Sequence, residues 1–314
     1  MFHPNQKYII VNFHYVHDFR PDWSGMRPCP VAEFERQINF LSAAWKIVSV
    51  REVFEAAEKF SPDRYCALTF DDGLKDHLDN VVPFLKREKL KGTFFPITCT
   101  WEERLPPAHR IQVLLSKFER GKLIDIFHGF MKEFYPDLAP QYFIPRDRRL
   151  AERHLHDDIL TANFKETILA LPDDVKGRFL RFCFKNLHLD EKKIVRELFM
   201  TRAEVQKLAQ EGFWIGNHSH NHYALDTMSQ AALRKDIELA KKLLEKLAGY
   251  KIGVFSYPHG RSTPLIMEIL KSASIYYGVT IENRELNAAD NPLLLPRYDT
   301  NKIKDYLDQT SSHS

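Results

Sequence analysis

Three short apolar runs, KYIIVNF at 7–13, YCALTF at 65–70 and GTFFPI at 92–97, are separated by stretches whose apolar residues recur at helical spacing. Strand, helix, strand in that order predicts parallel pairing, because the long crossover leaves no room for a tight hairpin. Phe34, Ile38 and Leu41 mark a helix from about Val31, and a second runs through 81–89. The rhythm returns late in the chain. Thr201 and Glu204 form a capping-box signature, Val205 and Leu208 supply an apolar stripe, and Gly212 stops that helix before FWIG begins a strand. Ser229 caps a helix in which Leu233, Ile237, Ala240, Leu244 and Leu247 share a face, closed by Gly249. IGVFSYP (252–258), TPLIMEILKSA (263–273), YYGVTIE (276–282) and LLLP (293–296) then read as strand, helix, strand and a last strand. About seven strands alternating with helices predict an α/β fold, either a barrel or a strongly curved parallel sheet.

Residues 101–200 break this pattern. They hold few strand signals, amphipathic runs such as RIQVLLSKFERGKLIDIFHGFMKEF, and the charged segment PRDRRLAERHLHDD, which together predict a mostly helical insertion. A chain of 314 residues can bury a large core, so 1–314 reads as one barrel domain carrying that insertion at about 101–200. The histidines at 109, 128, 154, 156 and 188 scatter through the insertion and read as structural.

Charge and composition narrow the function. With 45 Lys and Arg against 42 Asp and Glu, the chain is too balanced for a nucleic-acid surface. No run approaches the ~20 apolar residues of a membrane span. The N-terminus shows no basic leader or cleavage site, and Cys29, Cys66, Cys99 and Cys183 form no CxxC pair. These features predict reduced thiols in a cytoplasmic protein.

Functional residues in such folds gather at the C-terminal ends of strands. LTFDDG puts Asp71 and Asp72 directly after a buried strand, where adjacent carboxylates point in different directions and suit different roles. GFWIGNHSHNH, 212–222, puts three histidines after another strand. In an extended chain His218, His220 and His222 face one way; in a helical loop His218 and His222 share a face and His220 points elsewhere. Asp72, His218 and His222 would give a metal three protein ligands and leave positions open for water and substrate, the pattern of a catalytic site.

These segments resemble the motifs of the polysaccharide deacetylase family, the NodB-homology or carbohydrate esterase 4 group. TFDDG at 69–73 matches the first motif, HSHNH at 218–222 the second, FSYPHG at 255–260 the third and LPRYD at 295–299 the fourth. The resemblance implies a distorted (β/α) barrel of seven or eight strands. It implies Asp71 as general base, Asp72, His218 and His222 as ligands of a divalent metal, and the backbone N–H of His259 as an oxyanion donor. Zinc is expected first, with cobalt, manganese, nickel or iron as alternatives. In two places the sequence departs from the family. Ser256 stands where the third motif often has the arginine that orients the base, so Arg297 is the expected substitute. The late Leu-His block that supplies the general acid is not matched by YLDQTSSHS, and FHYV at 13–16 resembles the N-terminal block that carries it in other members. His14 is therefore the expected acid, with His17 behind it. His220 is expected at the solvent or behind the ligands, and Trp214 and Tyr257 in barrel packing.

The expected activity is removal of an N-acyl group, acetyl or formyl, from an amino sugar, as on a nucleotide- or lipid-linked intermediate of surface-glycan synthesis. The rival readings are an allantoinase-like amidohydrolase acting on a small non-sugar amide and a sugar-binding protein with a vestigial site.

Overall fold

A computed structural model describes residues 2–151 and 157–311. The chain divides into two compact units, one made of Met1–Asp18, Pro28–Arg104 and Ile194–Ser314, the other of Phe19–Arg27 and Leu105–Lys193.

Among the described residues the first unit is built on eight parallel strands: β1 (Tyr8–Phe13), β2 (Lys46–Ile47), β3 (Tyr65–Asp72), β4 (Thr93–Pro96), β5 (Trp214–Ile215), β6 (Val254–Ser256), β7 (Tyr277–Val279) and β8 (Tyr298–Asp299). One sheet runs β5-β4-β3-β1-β8 with β2 beside β3, and β6 pairs with β7 in a second. Single bridges, Asn217 to Phe255 and Val279 to Leu295, join the two sheets, so the strands close into a distorted barrel, as the motif resemblance implied. All six residues of β1 are buried, which is what an apolar run between two covered faces requires. Alternate residues feed two apolar clusters. Ile9, Val11 and Phe13 pack with Phe34 and Leu41, while Ile10 packs with Ala67, Val53 and Phe95. The rings of Phe13, Phe70 and Phe94 stack across three adjacent strands, with centroids 5.5 and 4.8 Å apart. β1 and β3 are thereby locked in the register Tyr8–Tyr65 to Phe13–Phe70.

Helices α1 (Val31–Ala44), α2 (Val50–Glu58) and α3 (Val82–Arg87) lie along the first half of this unit. α4 (Pro107–Lys117), α5 (Arg120–Phe134), α6 (Ile159–Ala170) and α7 (Asp173–Asn186) follow, then α8 (Glu191–Leu198). α9 (Arg202–Gln210), α10 (Gln230–Ala248), α11 (Pro264–Ser272) and α12 (Thr300–Ser311) complete the chain. The Thr201–Glu204 capping box forms, and Gly249 closes α10 in the left-handed conformation. Three expectations need correction. LLLP is not a strand: Asn291 accepts the N–H of Leu293 through its side chain and that of Leu294 through its carbonyl, turning the chain, and only Leu295 bridges before β8 starts at Tyr298. Asp71 and Asp72 do not follow β3 but are its last two residues, in register with Phe95 and Pro96. The helix expected over 81–89 begins earlier, as a π turn at His77–Val81.

The second unit is helical. α4 to α7 enclose Phe127, Phe130, Phe164 and Phe179, with Phe127 and Phe130 ring centroids 5.1 and 5.2 Å from that of Phe179. Segment 19–27 belongs to it: the N–H of Gly25 donates to Ser116, and Lys117 lies over the Trp23 ring. His109 is buried and His128 accepts the N–H of Ile144, while His154 and His156 lie outside the described residues. No helix among the described residues is long and apolar enough to cross a membrane.

Candidate active site

Parallel pairing carries the ends of β3, β5, β6 and β8 to one end of the barrel, and with them every motif singled out above. β3 ends on Asp71 and Asp72, the latter with φ +72°, a left-handed conformation that a non-glycine residue adopts at a cost of roughly 1–3 kcal/mol. That turn aims the two carboxylates apart, so each meets different partners.

Asp72 meets the histidines. Its Oδ1 lies 3.4 Å from His218 Nε2 and 3.6 Å from His222 Nε2, and the two nitrogens are 3.2 Å apart. A tetrahedral ion with bonds of about 2.1 Å needs ligand atoms about 3.4 Å apart, so this donor triangle has the dimensions of a zinc-type site. The proton of His218 is fixed on Nδ1, because its partner there, 2.7 Å away, is the carbonyl of Ser256, which can only accept. Nε2 is left to face the triangle. The loop is neither extended nor helical: Ser219 (φ +64°) and His222 (φ +55°) are left-handed, and this brings His218 and His222 together while His220 turns away. Asp236 of α10 holds the loop, accepting from the N–H groups of His220 and Asn221 and from the Asn221 side chain at 2.8, 3.1 and 2.6 Å.

Asp71 meets cations. Arg297 forks onto it, Nη1 to Oδ1 at 3.0 Å and Nη2 to Oδ2 at 2.9 Å, and both side chains are about 2% exposed or less. Arg297 is itself held by Asn12, Thr69 and the carbonyl of Thr280. Ser256 Oγ donates to Asp71 Oδ2 at 3.1 Å and accepts from Arg297 Nη2 at 3.1 Å. The serine thus occupies the place beside the base, and the guanidinium arrives from the residue just before β8. Burial alone pushes the Asp71 carboxyl up, but the charge of Arg297, then His218, the Arg297 hydrogen bonds and His14 outweigh it and hold it below the usual carboxylate range. Burial likewise disfavours a charged His218, yet Asp71 and Asp72 overcome it and raise that pKa. The cluster draws positive charge.

His14, half exposed, places Nε2 3.9 Å from Asp71 Oδ2. His259 sits left-handed at φ +58° in the turn after β6, its ring centroid 4.8 Å from that of His222. Two further histidines have partners of their own. His17 turns Nδ1 to the carbonyl of Asp18. His220 is buried and structural, with Thr98 Oγ1 at 2.8 Å from Nδ1 and Arg104 at 3.0 Å from Nε2. Tyr257 packs in the core with its hydroxyl on the carbonyl of Leu293, as expected, whereas Trp214 is only partly buried. Ser256 and Asp236 were not found from sequence; the first stood inside a quoted motif as a departure, and the second carried no signal beyond being polar on the apolar side of α10.

The profile of the polysaccharide deacetylase family matches residues 59–120 and 158–278, more than half of the chain. The chain belongs to the polysaccharide deacetylase family. Family membership makes it a hydrolase of the sugar de-N-acetylase class. Among solved structures, the Streptococcus pyogenes deacetylase PplD in complex with acetate is similar to this deacetylase over 97% of both chains, at 17% identity and a TM-score of 0.61. IcaB from Ammonifex degensii covers 93% of this chain and 92% of its own, at 15% identity and 0.54. BC0361, a polysaccharide deacetylase from Bacillus cereus, covers 96% and 68%, at 13% identity and 0.57. At these identities the likeness is one of fold. No curated protein sequence matches the chain.

Proposed function

We propose that this deacetylase is a metal-dependent N-deacylase that hydrolyses the N-acetyl group of an amino sugar. The observation that carries the reading is the adjacency of two unlike carboxylates at the end of β3: Asp71 neutralised by Arg297, and Asp72 facing the imidazoles of His218 and His222. Among the described residues this trio is the one group whose ligand atoms lie close enough together to hold an ion. Two imidazoles and a carboxylate suit zinc, and also cobalt, manganese, nickel or iron. Such an ion, when bound, acts as a Lewis acid on a carbonyl and makes water a stronger acid.

The protein's own groups divide the rest. Asp71, kept ionised and aimed by Arg297 and Ser256, accepts a proton from the attacking water. The backbone N–H of His259 donates to the oxygen that gains negative charge, a donor whose loss typically costs ~3 kcal/mol. His14 gives a proton to the nitrogen as the C–N bond breaks. A C–O bond forms, and a carboxylate and a free amine leave, with no covalent bond to the enzyme. Acetyl is preferred over formyl because the family is one of deacetylases and the streptococcal structure holds acetate. Four free, buried cysteines suit a reducing compartment, so the reading extends to a nucleotide- or lipid-linked cytoplasmic amino sugar.

Primary-amine release from N-acetyl and N-formyl amino sugars, free, nucleotide-linked and oligomeric, tests the reading. Release from at least one acetylated sugar, abolished by chelation and restored by a divalent ion, is the expected result. Release that survives complete chelation contradicts it.

A further inference from the structure

We propose that His77, together with Asp76 and Asn80, is a positioning residue for His14: three side chains, two from one π turn and the third from the residue before it, grip the backbone of 14–16 and thereby fix the imidazole beside Asp71. The inference rests on the reading of His14 as the general acid.

β1 ends at Phe13, so the backbone of 14–16 lies beyond the strand, with only a single bridge from Val16 to Cys29. The 76–80 turn supplies what a strand would otherwise provide. His77 Nε2 lies 2.6 Å from the carbonyl of His14, which can only accept, so this nitrogen carries the proton. Asp76 Oδ2 accepts the N–H of Val16 at 2.6 Å, and Asn80 Nδ2 donates to the carbonyl of Val16 at 2.7 Å. A π turn, His77–Val81, starts at the clamp; such turns are rare and concentrate at functional sites.

A fully buried histidine is most often a core residue, and the surroundings of His77 separate that role from this one. Its ring is 0% exposed and packed against Phe70 and Phe94, at centroid distances of 5.5 and 5.8 Å. A socket lined by two phenylalanines would accept leucine for packing alone. Placing a polar ring there is costly, and the N–H reaching the His14 carbonyl is the contact that leucine cannot make. His14 lacks such packing of its own. Its side chain is 45% exposed, and the contacts placing Nε2 3.9 Å from Asp71 are a 3.5 Å approach to Asn12 and the backbone held from 76–80. Asp71, Asp72 and the clamp lie within ten residues of chain, so one short segment carries the proposed base, a proposed ligand and the support of the acid.

The test uses His14→Ala, His77→Leu and the double variant on two substrates, an N-acetylated amino sugar and a nitrophenyl acetate ester. A nitrophenolate leaves without protonation, so ester hydrolysis does not need the acid, whereas an amide does. His14→Ala should slow the amide on the order of 10²-fold. His77→Leu should slow it by about tenfold to 10²-fold in kcat with KM little changed, the scale of a misplaced group. His77→Leu should spare the ester within about twofold, and the double variant should be no slower on the amide than His14→Ala, since His77 acts through His14. His77→Gln, which keeps an N–H donor, should recover most of the amide rate. If His77→Leu does not fold, Asn80→Ala carries the same comparison. Equal losses on ester and amide, or a double variant slower than His14→Ala by the full His77 factor, would reduce His77 to a packing residue and overturn the proposal. An intact amide rate in His77→Leu beside a crippled His14→Ala overturns the clamp alone. A full rate in His14→Ala overturns the clamp together with the reading beneath it.

Discussion

A carboxylate as buried as Asp71 stays ionised only if its charge is answered, and Arg297 answers it through two parallel hydrogen bonds. Removing one partner of such a pair strands the other, at a cost of roughly 3–5 kcal/mol. Arg297→Met should therefore lower stability by about that amount in denaturant unfolding. It should also move the pH profile. The Asp71 pKa is held below the ordinary value, so the base is protonated and lost only as pH falls through that depressed pKa; without Arg297, burial dominates and the acid limb of the activity profile shifts to higher pH. The same depression contributes stability at neutral pH that fades as pH falls through the folded-state pKa, and the variant should lack this dependence. Most of the cluster was legible in sequence, because Asp71, Asp72, His218 and His222 lie in motifs of fixed spacing and Arg297 in a quoted block. Ser256 and Asp236 were not, since their roles come from contacts across 185 and about 15 residues of chain.

The elements explain why those residues meet. α10 does more than cover the barrel, because Asp236 on it takes three N–H groups of the loop that carries the two imidazoles. Partners of this kind typically change metal affinity 10–100-fold when removed, so Asp236→Ala should weaken divalent-ion binding by that factor while leaving all three ligands in place. Competition with a chromogenic chelator measures it; unchanged affinity would mean that the loop holds its left-handed turns unaided. In the helical unit, Asp158 caps α6, its carboxylate accepting from the N–H and hydroxyl of Thr161. Burial pushes its pKa up, and the Thr161 hydrogen bonds outweigh this and lower it. Asp158→Ala should cost about 1 kcal/mol at pH 7. That difference should vanish as pH falls through the folded pKa, below the unfolded ~3.9, in urea unfolding at several pH values. Long periodic helices such as α1 and α10 are readable, and β5 is marked by Gly212 ahead of it, whereas β2 and β8, of two residues each, are too short to show a period. α2, of nine residues, is marked in sequence by little beyond the Ser49–Glu52 capping box, and α12 is polar over most of its length.

On the scale of the whole molecule, eight short strands and a strained set of turns leave one end of the barrel crowded with charge of both signs. Ligand binding to the folded state alone stabilises it by RT ln(1 + [L]/Kd), or about 2.7 kcal/mol at a hundredfold excess over Kd. Zinc added to metal-stripped protein should therefore raise the midpoint of thermal unfolding in the wild type, and not in His218→Ala or Asp72→Ala. The account stands on Asp72, His218 and His222 converging on a single ion that the hydrolysis requires. The most direct measurement is a titration of stripped protein with cobalt(II), following visible absorption and amine release from an N-acetyl amino sugar in the same samples. Absorption and activity should rise together and break at one equivalent per chain, with neither appearing in His222→Ala; amine release from stripped protein before any metal is added, or in that variant, would contradict it.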